Sequence, residues 1–561
     1  MPIPNGNLDY MHHSQNVDAR PTIAFLVDRI LGTSGYQSEV WRGIVEAARN
    51  HDVNVICYTG GCLNATMNFD EYEYQRNVIY ELIPEKHVDG LIIGAGVIGQ
   101  YVNFEELSTF CRRYLPLPTV SIGFEVTGVP SLLADDTTGM QEAITHLIKR
   151  HDRRKIAFIR GPDGSAEAQR RYQAYLNTLE KYGIPEDSSL VTQGDFYRGS
   201  GKEAARILLD ERKVDFDALV GANDTMALAA MEVIQAHGID VPDDVAVIGY
   251  DDVIDANISN PPLTTVRQPM YEIGKRAVEF LITILEGGEV PNREMMPTTL
   301  VQRLSCACEP EPKFDTSLLE EGFTLSFDDL AAQRDYVVRK VVEAYNPPYS
   351  QEDLITRNTT DLVDTLFKAL TNQSDPDEFI ILLEKILRQG LMHGTDSYQW
   401  QYAMSSLNQL TASLVKDVES SRRMADLWRR TNMLLGRIGS LSISYTKLQE
   451  EHLAEPLRYT NQALLTTYDM SSLMETIWDR FPDIGIHTCV ISLFDDPEDC
   501  RKKARFMLSY NTEGRIDTAD EANQPYPAVD LFPEGFLEVD RRQELVVNSL
   551  YFRDKIFGYL V

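Results

Sequence analysis

From Thr22 to Tyr250 the chain alternates short apolar runs of strand length with amphipathic stretches of helical period, and this alternation limits the folds open to it. The strand-like runs are Thr22–Asp28, Asn54–Tyr58, Asp89–Ile93, Pro118–Ile122, Leu132–Ala134, Lys155–Arg160, Ala218–Gly221 and Val245–Tyr250. Helical stretches such as Ser38–Asn50, Met140–Arg150 and Thr225–His237 fall between them. A strand apolar on both faces must be covered on both, and a helix between strands supplies the crossover that parallel pairing needs. The expectation is an α/β fold, and because the stretch 21–308 is long for one open sheet, two lobes are expected.

Ligands of open parallel sheets sit beyond the carboxyl ends of the strands, where loops and helix N-termini converge. The polar residues at those places are Asp28, Asp135, Asp136, Asn223, Asp224, Asp251 and Asp252. Carboxylates and amides there can hydrogen-bond vicinal hydroxyls, an Arg fork can donate to ring or carboxylate oxygens, and an aromatic face can pack on a sugar or base. Several of these residues are equally placed to cap helices: Asp135 and Asp136 precede a helix near Thr138, and Asn223 and Asp224 precede Thr225. Both roles stay open at the level of sequence.

Three runs carry a family resemblance: ADDTTGMQEAITHLIKRHDRRKIAFIRGP (Ala134–Pro162), ALVGANDTMALAAMEVIQAHGIDVPDDVAVIGYDDV (Ala218–Val253) and PPLTTVRQP (Pro261–Pro269). In this order they resemble the ligand-sensing domain of LacI/GalR-type regulators, a cousin of the type I periplasmic binding proteins, over Pro21–Cys308. The resemblance implies two Rossmann-like lobes joined by three chain crossings and closing on a small-molecule effector, often a sugar or a nucleobase-containing compound such as a nucleoside. It implies ligand contacts from Tyr36, Arg171 in RRYQAY, Phe196 in GDFYRGSG, Asn223 in ANDTMA and Asp251 in GYDDV, to which the strand-end position adds Asp28. The chain departs from the family at Gln37, usually a second aromatic, at Ala174, usually glycine, and in the first loop DRILGTSGYQ. Family repressors carry a helix-turn-helix headpiece and hinge helix. Residues 1–20, read as a disordered head, are too short for that module and have one basic residue, so no direct DNA binding is expected of this chain.

Beyond Pro310 the pattern turns helical. An acidic, Pro-containing linker spans 309–349, a helical bundle or signalling helix 350–456, and an α+β region resembling a GAF domain 457–561. Ser350 and Asp375 are placed to cap helices. Met424, Leu427, Thr431, Leu434, Ile438, Leu441, Tyr445 and Leu448 step by three and four, which suits either a parallel dimer seam (coiled coil) or one face of an intramolecular bundle. Gly436 and Gly439 weaken that helix, and Pro456 is expected to kink or interrupt it. His452 in EEHLAEPLRY faintly resembles a histidine-kinase phosphoacceptor, but Leu453 stands where an acidic base is needed, so it reads as a surface or seam residue. The apolar close FGYLV reads as a strand with an unfinished sheet edge, suggesting a fragment of a longer protein with a downstream output domain or protein.

The 53 Lys+Arg against 85 Asp+Glu give a net charge of −32, which repels polyanions and anionic membranes. No apolar run reaches membrane-span length and the start lacks a signal-peptide pattern, so a cytoplasmic location is expected. There is no G-x-S-x-G or P-loop, so no enzyme activity and no cofactor are expected. Seven scattered cysteines do not suggest a disulfide framework. Cys306 and Cys308, without a matching pair or a nearby His, read as ordinary thiols, so no metal is expected. The expected function is a ligand-responsive signal-transduction regulator, a homodimer in form, whose lobe closure passes through the helices to the GAF-like region; a LacI/GalR-type transcriptional regulator acting on DNA is the alternative. In either case Arg171→Ala and Asp251→Ala are expected to abolish ligand-induced stabilisation and leave the unliganded fold intact.

Overall fold

The apolar run after Pro21 becomes strand β1 (Thr22–Val27), buried from Ile23 onward. The computed structural model describes residues 20–30, 35–65, 72–83, 88–308, 330–345, 352–371, 373–392, 399–412, 418–511, 514–515, 525–532 and 542–561. These fall into two units, Met1–Pro310 with Ile486–Val561, and Glu311–Gly485. The head before Arg20, residues 309–329 of the expected 309–349 linker, and Ser350 lie outside the described residues, and Leu330–Tyr345 within that expected linker is a helix rather than a connector.

After β1 the first lobe continues through α1 (Tyr36–Asn50), β2 (Asn54–Thr59), β3 (Gly90–Ile93), α2 (Ala95–Ile98), α3 (Phe104–Arg112), β4 (Thr119–Ile122) and β5 (Ser131–Ala134). The chain then crosses to build a second lobe from α4 (Asp136–His151), β6 (Ile156–Ile159), α5 (Ala166–Lys181), β7 (Val191–Thr192), α6 (Arg198–Arg206), β8 (Ala218–Gly221), α7 (Asp224–Ala236), β9 (Ala246–Ile248), α8 (Ile254–Ile258) and β10 (Thr265–Arg267). It returns for α9 (Met270–Leu285) and β11 (Arg293–Met296), and crosses a third time into β12 (Thr299–Val301), which pairs antiparallel with β10. The first sheet runs β11-β5-β4-β3-β1-β2 and the second β7-β6-β8-β9, with every one of these neighbours parallel.

Each sheet has its own buried core, the two-lobed α/β architecture expected. Two glycines let α1 and α9 cross in backbone contact on the first sheet: a Cβ at Gly43 would stand 2.0 Å from the Tyr271 carbonyl oxygen, and one at Gly274 2.2 Å from that of Val40. The short strands β7, β10, β11 and β12 were not anticipated. β11, for example, carries Arg293 and Glu294 and lies on the edge of the sheet, so it lacks the apolar run of a central strand.

The second unit is helical: α10 (Leu330–Tyr345), α11 (Glu352–Leu370), α12 (Pro376–Met392), α13 (Gln399–Thr411), α14 (Val418–Leu465) and α15 (Met470–Arg480). Asp375 caps α12 as expected, its Oδ1 accepting the Asp377 N–H at 2.9 Å. Met424, Leu427, Leu434 and Ile438 on α14 are buried in the same core as Val341, Leu366, Leu383 and Trp400. From Met424 to Ile438 the stripe therefore faces the bundle of its own chain, the second of the two alternatives, and these positions are not open to a partner helix. Leu441 is exposed, while the side chains of Tyr445, Leu448 and His452 lie outside the described residues. Pro456 does not interrupt α14, which spans 48 residues. Pro456 is part-buried, and the neighbouring Leu457 and Tyr459 are exposed. No helix among the described residues is long and apolar enough to cross a membrane.

The strands after Gly485 do not form a unit with the helices from 457 to 485, contrary to the expected α+β grouping of 457–561. β13 (Cys489–Phe494), β14 (Ala504–Asn511), β15 (Gly514–Arg515), β16 (Glu544–Phe552) and β17 (Lys555–Leu560) instead extend the first lobe's sheet, in the order β2-β16-β17-β13-β14-β15. The physical reason is the free edge of β2. Val55 to Tyr58 are buried on both faces, and β16 pairs parallel with them from Glu544↔Val55 to Val547↔Tyr58. Arg49 on α1 grips Glu544 through two hydrogen bonds of 3.0 and 3.1 Å, and the Thr59 hydroxyl donates to the Val547 carbonyl at 3.0 Å. The apolar strand at the close of the sequence is not an open edge, since β17 lies between β16 and β13.

Candidate functional site

The site begins with a helix start. Asp135 caps α4 by accepting the Thr138 N–H at 3.0 Å, which places Asp136 in the first turn and fully buried. Asp136 accepts from Arg170 Nη2 at 2.7 Å and from Arg171 Nε at 2.8 Å. Both arginines lie on α5, which Ser165 caps through the Ala168 N–H at 3.2 Å. Arg171 is 2 % exposed. Its Nη1 donates to the Ala222 carbonyl at 2.9 Å, and the guanidinium lies 3.8 Å from the centroid of the Tyr250 ring. Nη1 is 3.7 Å from Asp251 Oδ1 and Nη2 3.7 Å from Glu167 Oε2, while Nη2 has no hydrogen-bond partner among the described residues.

Asp251 has a positive φ of 126°, and its N–H donates to the Val266 carbonyl at 2.9 Å. Gln268 Nε2 donates to its Oδ1 at 2.6 Å, leaving the buried Gln268 Oε1 without a partner among the described residues. Burial pushes the Asp251 carboxyl up to about 8 against the opposing pull of Arg171. Behind it, burial pushes Asp224 up to about 7, although Thr265 Oγ1 and the Val253 N–H donate to it at 2.6 and 2.9 Å. Asn223 caps α7 by accepting the Met226 N–H at 3.0 Å, and its Nδ2 donates to the Phe196 carbonyl, also at 3.0 Å. Phe196 has φ 71° and packs its ring on Gly161, where a Cβ would stand 2.5 Å from the ring.

From the first lobe, Tyr36 donates its hydroxyl to Glu167 Oε1 at 3.3 Å. Gly123, at φ 80°, makes room for that carboxylate, since a Cβ there would lie 2.8 Å from Oε1. Arg29 donates to the Tyr197 hydroxyl and stands 5.6 Å from the centroid of its ring. The lobes are thus bridged by Tyr36–Glu167 and Arg29–Tyr197. Asp28 is bound within its own lobe, accepting from Arg29 Nε and Gln37 Nε2 at 3.2 Å each, and burial raises its carboxyl above the usual range. Gln37, one of the departures from the family pattern, is therefore a partner of Asp28.

Of the six expected residues, Tyr36, Arg171 and Asp251 gather around Glu167 and Gln268. Asn223 and Phe196 hold each other on the second lobe, and Asp28 sits beneath Arg29. Glu167, Arg29, Tyr197 and Gln268 were missed. Glu167 had a usable signal, since it lies one helical turn before Arg171.

The raised Asp251 carboxyl has a signed consequence. Its folded value lies above the ordinary one, so between about pH 4 and about pH 8 the folded state holds a proton that the unfolded state has lost, and stability falls as pH rises through that window. Asp251→Asn keeps the Oδ1 acceptor without the charge. Its stability relative to the parent is expected to rise steadily across the window and level off above it, as read by urea unfolding at a series of pH values. A difference independent of pH would show that Asp251 does not titrate there.

A family profile described as "Periplasmic binding protein-like domain" matches residues 144–306. The HTH-type transcriptional repressor PurR of Vibrio atlanticus is 32% identical over 283 residues, 49% of this chain and 78% of that protein. The HTH-type transcriptional repressor CytR of Escherichia coli is 29% identical over 274 residues, 49% of this chain and 76% of that protein. The HTH-type transcriptional regulator CelR of Thermobifida fusca is 40% identical over 172 residues, 30% of this chain and 50% of that protein. These relatives are described as transcriptional repressors or regulators. With its two lobes, its interlobe polar cluster and these matches, the chain belongs to the LacI/GalR-type regulators with a periplasmic-binding-protein-like ligand domain.

Proposed function

We propose that this protein is a small-molecule-responsive transcriptional regulator, in which a hydroxyl-rich effector such as a sugar or nucleoside binds between the lobes beside Arg171 and Asp251. One observation carries the reading: the buried donor Arg171 Nη2 and the buried acceptor Gln268 Oε1 flank Asp251, and neither has a hydrogen-bond partner among the described residues. Unpaired buried donors and acceptors each cost about 1–3 kcal/mol, and a ligand hydroxyl that donates to one and accepts from the other offsets that cost. Binding that favours the closed lobes then shifts the regulator by its differential affinity for the two states, on the order of 1–3 kcal/mol.

The relatives' descriptions favour action on DNA over the relay without DNA contact expected from the sequence. The relay is the second reading, supported by the 48 residues of α14, and in it the helical unit passes lobe closure to a partner protein. Two measurements on the full chain test the proposal. A thermal-shift panel of sugars and nucleosides is expected to yield a stabilising ligand whose effect Asp251→Asn reduces by about tenfold or more in affinity. Selection of DNA fragments at low salt is expected to enrich one sequence, with binding altered by that ligand. Ligand binding with no enriched sequence would move the assignment to the relay, and a panel without any stabilising ligand would overturn the binding site.

A further inference from the structure

Four side chains outside the interlobe cluster converge on one point of the second lobe. His146 and His151 project from α4, and Cys306 and Cys308 come from the turn that follows β12. The four ligand atoms all lie within 4.8 Å of one another. His146 Nε2 and His151 Nε2 are 3.1 Å apart, and Cys308 Sγ is 3.2 Å from the first and 3.3 Å from the second. Cys306 Sγ is 3.5 Å from His146 Nε2.

A tetrahedral zinc ion with Zn–N of about 2.0–2.1 Å and Zn–S of about 2.3 Å sets N···N at about 3.4 Å and N···S at about 3.6 Å. The four separations above fall within a few tenths of an ångström of those edges, while the cluster as a whole spans up to 4.8 Å, so a bound ion would draw its widest pair together by about 1 Å. Two imidazoles and two thiolates are a donor set suited to zinc, and the pair of thiolates neutralises its charge.

The surroundings are built to hold the donors. Ala307, at φ 69°, turns the backbone so that the cysteines on either side of it reach the same point. Arg303 fixes the turn by donating to the Leu263 carbonyl at 2.8 Å and to Asp252 at 2.6 Å. The Thr264 hydroxyl lies 3.0 Å from Cys306 Sγ, placed to donate to a thiolate. We propose that His146, His151, Cys306 and Cys308 form a structural zinc site that fastens the 304–308 turn to α4. No ligand position is left for a substrate, so the site is a closed one.

The test uses the full chain without an added histidine tag, purified under reducing conditions, stripped with a chelator, reloaded with zinc and dialysed. One zinc per chain is expected by mass spectrometry. Cys308→Ser and His151→Ala are each expected to lower retained zinc by about tenfold or more, whereas Cys500→Ser, outside the cluster, retains it. Because a variant that loses zinc could also misfold, cobalt substitution of the unaltered chain gives an independent reading. Tetrahedral Co(II) bands with thiolate-to-cobalt charge transfer support the site, and an octahedral spectrum overturns it. Failure to retain zinc, retention unchanged in both variants, or loss of two titratable thiols to a Cys306–Cys308 disulfide in the reduced preparation would also overturn it.

Discussion

Arg171→Ala is expected to lower the stability of the first unit by about 3–5 kcal/mol, the range for removing one partner from a buried ion pair. Asp136 is fully buried and would keep only Arg170, and Glu167 and Asp251 would lose the cation between them. The Tyr250 ring would also lose the guanidinium 3.8 Å from its centroid. Chemical unfolding followed by a probe of the first unit measures the change. A loss under about 1 kcal/mol would show that Arg171 is not the centre of this network. This corrects the sequence-level expectation that the substitution would leave the unliganded fold intact. An Arg that reads as a ligand contact is also a structural strut, so the binding test belongs to Asp251→Asn.

Val547→Asp is expected to be at least as damaging, with a loss above about 4 kcal/mol, because it places an unpaired charge in a fully buried position on β16. Glu544→Ala, which breaks the part-exposed pair with Arg49, is expected to cost no more than about 1 kcal/mol. Thermal melting of the two variants side by side gives the comparison. Equal melting temperatures would contradict the pairing of β16 with β2.

Much of the lobed half was legible because its strands are apolar on both faces and its helices amphipathic, so local period and tertiary burial agree. Thr22–Val27 and Ala218–Gly221 are examples. β11 escaped because an edge strand with alternating burial has no such run. In the site, Asp135 and Asn223 were legible as caps, since capping is a local chemistry of neighbouring residues. Glu167 on Gly123 and Gln268 on Asp251 were not, because each contact joins segments that sequence spacing does not relate. The Cys306–Cys308 pair read as two plain thiols for the same reason: its histidines lie on α4, far upstream. The heptad stripe of α14 showed an apolar face without naming what covers it, and Phe379 and Leu383 of the chain's own bundle share a core with it.

The pairing of β16 with β2 has a bearing on how the protein is made. Asn548 and Thr59 hydrogen-bond across 489 residues of sequence. At a translation rate of about 5–20 residues per second, that separation corresponds to on the order of 25 to 100 seconds of elongation. Throughout that interval the nascent first lobe presents an apolar strand with one unpaired flank, the kind of surface on which neighbouring polysomal chains stick together. Soluble yield is therefore expected to track ribosome speed and chaperone supply more closely than in a protein whose first sheet closes as it emerges.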